Sequence, residues 1–169
     1  MPRRSLSRLR PLMRAMREFR EVSRVKIGVL NAAQIQTMAV HDKHHRLLSY
    51  SSKARIAHSY NLEGASATAQ IELGESAEIV SVEVHYRKIR PQLPFATVEG
   101  IRSVEGSVQM SDLDHSACDV FVCEGRYPYV GFNDAEPDLF VSGHGLLFAI
   151  REQRLIGIGM TNITERSIK

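Results

Sequence analysis

Period-two alternation dominates the chain. Val80, Val82, Val84 and Tyr86 interleave with Ser81, Glu83, His85 and Arg87. Successive side chains of a strand point to opposite faces, so this pattern predicts a half-buried strand within residues 78–90, ended by Pro91 and Pro94. Further strands are expected at 55–62, 68–73, 106–113, 118–124, 138–142, 145–151 and 154–163. Val25, Ile27 and Val29 alternate over a shorter stretch. The GES triplet at 74–76 reads as a turn, Gly143 to Gly145 as a bend, and EQR at 152–154 as a hairpin turn. Around eight short, closely spaced strands predict a mainly β fold: an antiparallel sandwich or a partly open barrel.

Two stretches break that rhythm. Leu6, Leu9, Leu12, Met13, Met16, Phe19 and Val22 recur every three or four residues with arginines between them. This spacing predicts a basic amphipathic helix over 5–24, with Pro11 marking the start of its regular part. Residues 32–40 favour a helical turn or two. The expected organisation is a basic arm over 1–26 and one β-rich domain over 27–169.

Charge sharpens the contrast between arm and body. Arg3, Arg4, Arg8, Arg10, Arg14, Arg17, Arg20, Arg24 and Lys26 face only Glu18 and Glu21, so residues 1–26 carry +7 and the remainder −4. A cationic arm on a mildly acidic body points to a polyanion, and a guanidinium fork matches phosphate better than an ammonium does. The eight arginines are therefore candidate contacts for nucleic acid or for anionic lipid, on which a basic amphipathic helix would lie. Tyr127 and Tyr129 flank Pro128 beside Arg126, a placement suited to base stacking by an exposed ring.

A chain of 169 residues fits one domain that builds its core without disulfides or metals. Cys118 and Cys123 fall in one expected strand and make no secreted disulfide framework. No apolar run reaches the roughly 20 residues of a membrane span, and the N-terminal residues lack an apolar signal core, so neither a transmembrane helix nor secretion is expected.

Catalytic signatures are weak. His41, Asp42, His44 and His45 invite a metal, since His41 and His45 would share a helix face, but no second cluster supplies the remaining ligands. His115 and His144 accompany the two cysteines without a nucleophile motif. Ser142 in VSGHG lies outside the G-x-S-x-G elbow. The glycines at 143, 145, 157 and 159 precede no helix, as a phosphate loop requires. Asp112, Asp114, Asp119 and Glu124 read as turn carboxylates. The expectation is a protein without enzymatic activity, cofactor or metal.

The order VEVHYRKI, RPQLPF, GSVQMSDLD over residues 82–114 resembles the core of the thirty-kilodalton movement-protein superfamily of plant viruses. Gly106, Val108 and Met110 would hold the strand positions, and Asp112 or Asp114 the family's aspartate, in a structural role. DLFVSGHGLLFAI would be a further strand pair. The resemblance implies binding of single-stranded RNA or nucleoprotein, association with membranes, homo-oligomers, and a location in the host cytoplasm and at plasmodesmata. A viral matrix protein bridging nucleocapsid and membrane is the alternative that the same basic arm and β body suit.

Overall fold

A computed structural model describes residues 25–28, 36–95, 100–110 and 119–166. Within them the chain forms fifteen strands. The first half holds β1 (Val25–Gly28), β2 (Thr37–Asp42), β3 (Leu47–Ser52), β4 (His58–Glu63), β5 (Ala67–Leu73), β6 (Ile79–Tyr86) and β7 (Ile89–Arg90). The second half holds β8 (Arg102–Glu105), β9 (Ser107–Met110), β10 (Phe121–Cys123), β11 (Tyr129–Gly131) and β12 (Leu139–Gly143). β13 (Leu146–Arg151), β14 (Arg154–Met160) and β15 (Ile163–Arg166) complete it.

They assemble into three sheets. One has six strands in the order β15-β2-β3-β6-β5-β4, one has seven in the order β7-β10-β11-β14-β13-β12-β8, and β1 pairs with β9 in a two-stranded ribbon. The mainly β expectation holds, and the sheets do not close into a barrel. Nor is the pairing purely antiparallel. β7 with β10, β8 with β12 and β15 with β2 run parallel, each at a sheet edge. Two of these edges arise where the chain changes sheet. Arg87 and Lys88 carry it from β6 to β7, and Thr161 and Asn162 carry it from β14 to β15. A chain that crosses to the other sheet lands on a free edge, where parallel pairing is open to it.

The alternation read from β6 explains the main core. Val82, Val84 and Tyr86 join Leu48 and Tyr50 of β3 and Ile71 of β5 on one side. Val122, Val130, Val141, Phe148 and Ile158 meet them from the seven-stranded sheet. Each such side chain contributes about 1.5–3 kcal/mol on full burial. Ser81, Glu83 and His85 face away, toward solvent.

The seven-stranded sheet is apolar on its other face too. Phe121, Cys123, Tyr129, Phe140, Ala149 and Ile156 form a second cluster, covered by Phe95 from the connector after β7. Phe95 meets Tyr129 edge-on at 5.6 Å and Phe140 at 5.9 Å between ring centroids. This cluster accounts for the glycines inside strands. The Phe121 ring lies over Gly131, its cross-strand neighbour, and the Tyr129 ring lies over Gly157. At either glycine an added Cβ would overlap the ring. Aromatic cover of a glycine in a sheet restores the packing that the missing side chain forfeits.

Two hairpin turns are mirror-image turns, whose twist matches that of the flanking strands. His144 and Gly145 join β12 to β13 with φ of 53° and 80°. Glu152 and Gln153 join β13 to β14 with φ of 50° and 62°. Several sequence expectations need correction. Residues 37–40, expected in a helical turn, belong to β2, because Ala39 and Val40 are buried in a sheet. β3, β8, β11 and most of β15 fall outside the expected strands; LLSYSS, RSVE, YVG and ITER are too short or too polar to show a clear alternation. The arm helix and residues 32–35 lie outside the described residues. β1 begins at Val25, just before the expected domain boundary.

Candidate functional site

A cavity of about 280 Å³ opens where the two large sheets meet the β1–β9 ribbon. Its floor is apolar, made by Ile79, Val80, Val108, Leu146 and Phe148. Its polar groups are Tyr50, Ser52, Ser76, Glu78, Ser107, Gln109 and His144. Two of the hydroxyls are fixed by hydrogen bonds to the backbone. The Tyr50 hydroxyl donates to the carbonyl of His144 at 3.0 Å, tying β3 to the β12–β13 turn. Burial pushes its phenol up to about 12. The Ser52 hydroxyl donates to the carbonyl of Val80 at 3.1 Å.

The ribbon is locked against this opening. The Met110 amide donates to the Ala77 carbonyl at 2.9 Å, and Glu78 bridges to Gln109. The Gly106 amide donates to the Ser142 carbonyl at 3.0 Å. A Cβ on Gly106 would stand 2.8 Å from the Gly28 carbonyl, so only glycine admits β1 so closely. Glu78 closes the β5–β6 turn through its carbonyl, which accepts from the Gly74 amide at 2.9 Å. Its Oε2 is buried and has no hydrogen-bond partner. A carboxylate oxygen left in this state is costly, and a donor brought to it recovers that cost.

At the other end of β3 and β6, His41 is buried, its Nε2 2.8 Å from the Tyr86 hydroxyl and its Nδ1 without a partner. Burial, followed by the nearby Lys43 ammonium, holds the imidazole below its ordinary value. Lys43 reaches Glu165 at 3.2 Å and Glu124 at 3.9 Å, spanning from the β2–β3 turn to both sheets. Asp42 accepts from the His45 amide at 3.0 Å and meets the His45 ring at 2.8 Å. These contacts hold its carboxyl below the usual range.

The helical sharing of a face by His41 and His45 is therefore corrected: His41 lies in a strand facing inward, and His45 lies in the exposed turn that follows. Among the described residues no three His, Cys, Asp or Glu side chains converge to hold a metal.

Other candidates disperse. Tyr129 is only 1% exposed, which removes it from base stacking, because its ring is spent covering Gly157. Tyr127 is half-buried over Gly159. Val108 is buried in β9, and Gly106 immediately precedes that strand. Cys123 belongs to the outer-face cluster, where burial pushes its thiol up to about 11, whereas His144 lines the cavity. Asp119 and Asp134 flank Arg90, at 3.8 and 2.7 Å, and the Arg90 guanidinium also covers the Phe121 ring at 3.8 Å. The eight arginines of the arm, with Asp112, Asp114, His115 and Cys118, lie outside the described residues.

Reading the sequence did not single out Glu78, Tyr50 or Ser52. Each is an ordinary strand or turn residue, and only the meeting of β3, β6, β9 and the β12–β13 turn gives them a shared space. No protein-family model, curated protein or solved structure matches the chain. No helix among the described residues is long and apolar enough to cross a membrane.

Proposed function

We propose that this protein is a non-enzymatic binder of single-stranded RNA or nucleoprotein, of the viral movement type. In this reading the arginine arm contacts phosphates and anionic membrane, and the β-domain is its scaffold. One observation carries the proposal: +7 on residues 1–26 against −4 on the rest. Such an asymmetry concentrates the attraction for a polyanion in one segment. The body adds a surface for self-association. β4 is the last strand of its sheet, and its outer edge presents backbone groups with no neighbouring strand among the described residues. Transport between plant cells through plasmodesmata is the process this reading assigns.

Filter binding of single-stranded RNA by the full chain and by a deletion of residues 1–24 tests it. The deletion spares every described strand. Counterion release lowers log affinity against log salt by about 0.7 per phosphate contacted on a single strand. The full chain should therefore lose affinity steeply between 50 and 200 mM salt, about tenfold or more for several contacts. The deletion should bind weakly with a shallow slope. Equal affinities and equal slopes would refute the arm's role. Punctate fluorescence at the cell wall of leaf cells checks the transport assignment, and a uniform cytoplasmic signal counts against it.

A further inference from the structure

We propose that the β2–β3 turn and the β6–β7 crossover form a second contact site for single-stranded RNA, on the body itself. The proposal rests on the reading that the chain binds RNA, and it adds a site that the arm does not supply. Residues 43–46, KHHR, form the turn, and Arg87 and Lys88 form the crossover. β3 pairs with β6, with Leu47 opposite His85, so the two segments emerge side by side. The Arg46 carbonyl accepts from the Tyr86 amide at 3.0 Å, and the Arg46 Nη1 donates to the Arg87 carbonyl at 2.9 Å. Arg46 has φ 55°, a left-handed conformation that glycine adopts freely and arginine only at a cost. What arginine brings there is its side chain. Arg46, Arg87 and Lys88 are all exposed, and none has an ion-pair partner among the described residues. Carboxylates at this end already meet other groups: Asp42 meets His45, Glu83 meets His85, and Glu124 and Glu165 meet Lys43. Glu63, on β4, stands two strands from β6. Three adjacent cations without a counter-charge raise the local potential, which draws in an anion.

The surroundings favour RNA over other polyanions. A guanidinium fork pairs with phosphate oxygens through two parallel hydrogen bonds. His44 and His45 are exposed beside Arg46, their rings edge to face at 4.8 Å, and imidazole faces stack on unpaired bases. The exposed large apolar side chains among the described residues, Ile27, Met38 and Ile56, lie on β1, near the start of β2 and after β3. None of them stands at this end to enter a bilayer. The arm enters the body through β1, whose partner β9 bridges to Glu78 just before β6. Arg87 follows the far end of that strand, roughly 30 Å away at the usual rise per residue. One RNA strand held by both sites would run along β6.

Titration of the full, ¹⁵N-labelled chain with a short oligouridylate reads the site directly. The amides of His44, His45, Arg46, Arg87 and Lys88 should shift and saturate. The triple variant Arg46→Gln, Arg87→Gln, Lys88→Gln should lower the slope of log affinity against log salt by about 2, at about 0.7 per contact. A control variant, Lys53→Gln, Arg55→Gln, Arg102→Gln, removes the same charge from other exposed positions and should leave the slope unchanged. His44→Ala should weaken binding about fivefold or more at unchanged slope, through lost stacking. The amides outside the turn report whether each variant is folded. Unmoved turn amides in the unsubstituted chain, or equal slopes in the triple and control variants, would overturn the proposal and leave the arm's role standing. Shifts of equal size with polyglutamate or with short-chain phosphatidylserine would also overturn it, assigning the site to an acidic protein or a membrane. Equal affinity of the full chain and the arm deletion, with these amides still shifting, would refute the arm's role alone.

Discussion

Gly157→Ala sets two physical effects against each other. Glycine inside a strand costs about 0.5–1 kcal/mol relative to alanine through backbone entropy, so on propensity alone the substitution stabilises. In this fold the new methyl would occupy the space of the Tyr129 hydroxyl end. That ring has nowhere to go: it is 1% exposed and wedged against Phe95. Forcing an extra carbon into such a site costs about 1–3 kcal/mol. The overpacking term exceeds the entropic one at most of its range, so a net loss of about 1–2 kcal/mol is expected. At 2–4 °C per kcal/mol for a chain of this size, the midpoint falls by roughly 2–8 °C. Urea unfolding of the four members of a double-mutant cycle with Tyr129→Ala isolates the contact. Tyr129→Ala alone should cost about 3–5 kcal/mol. Adding Gly157→Ala to it should cost nothing further, because the obstruction is gone. If Gly157→Ala stabilises the full chain, or if the two losses simply add, the aromatic cover of the strand glycine is not what holds this face together.

Three further outcomes follow from particular side chains. His41 has a folded-state value held below 6.5, so its unfolded form binds protons first; its stabilising contribution is complete above pH 6.5 and declines as pH falls toward the folded value, and His41→Gln should reduce the difference in urea midpoint between pH 5 and 7. An unchanged difference would dismiss that assignment. Gln153 has an exposed side chain at φ 62°, where a left-handed backbone costs a non-glycine residue about 1–2 kcal/mol; Gln153→Gly should gain about 0.5 kcal/mol net of glycine's own entropy, and a lowered midpoint would contradict it. Cys123 is fully buried with its thiol pushed up to about 11. Peptide mapping after iodoacetamide at pH 8 should find it unmodified in the folded chain and modified in urea, and modification at equal rates would show that this cluster opens freely.

The strands that alternate clearly were legible from residue order alone. β5 and β6 bury one face and expose the other, and a side-chain period of two records that directly, whereas β12 and β13, apolar toward both faces, show as short apolar runs between turn residues. The turns around Gly145 and Gln153 were legible for a related reason, since turn chemistry is local. The charge of the arm is likewise a property of residue order and needs no coordinates. Tyr129 shows where such reasoning stops: a tyrosine beside a proline and an arginine looks available, yet its exposure depends on Gly157, nearly thirty residues away.

His41 makes the same point, because its neighbour Tyr86 lies 45 positions further on. The cavity is the extreme case. Its polar lining comes from β3, from the turn before β6, from β9 and from the β12–β13 turn, and none of these residues carries a local signature. Periodicity and charge are set by adjacent residues, and they declare the type of element and the segment that attracts anions. Which sheet each strand joins, and which polar atoms are left without donors, are set by contacts between distant segments, and those arise only when the sheets close on one another.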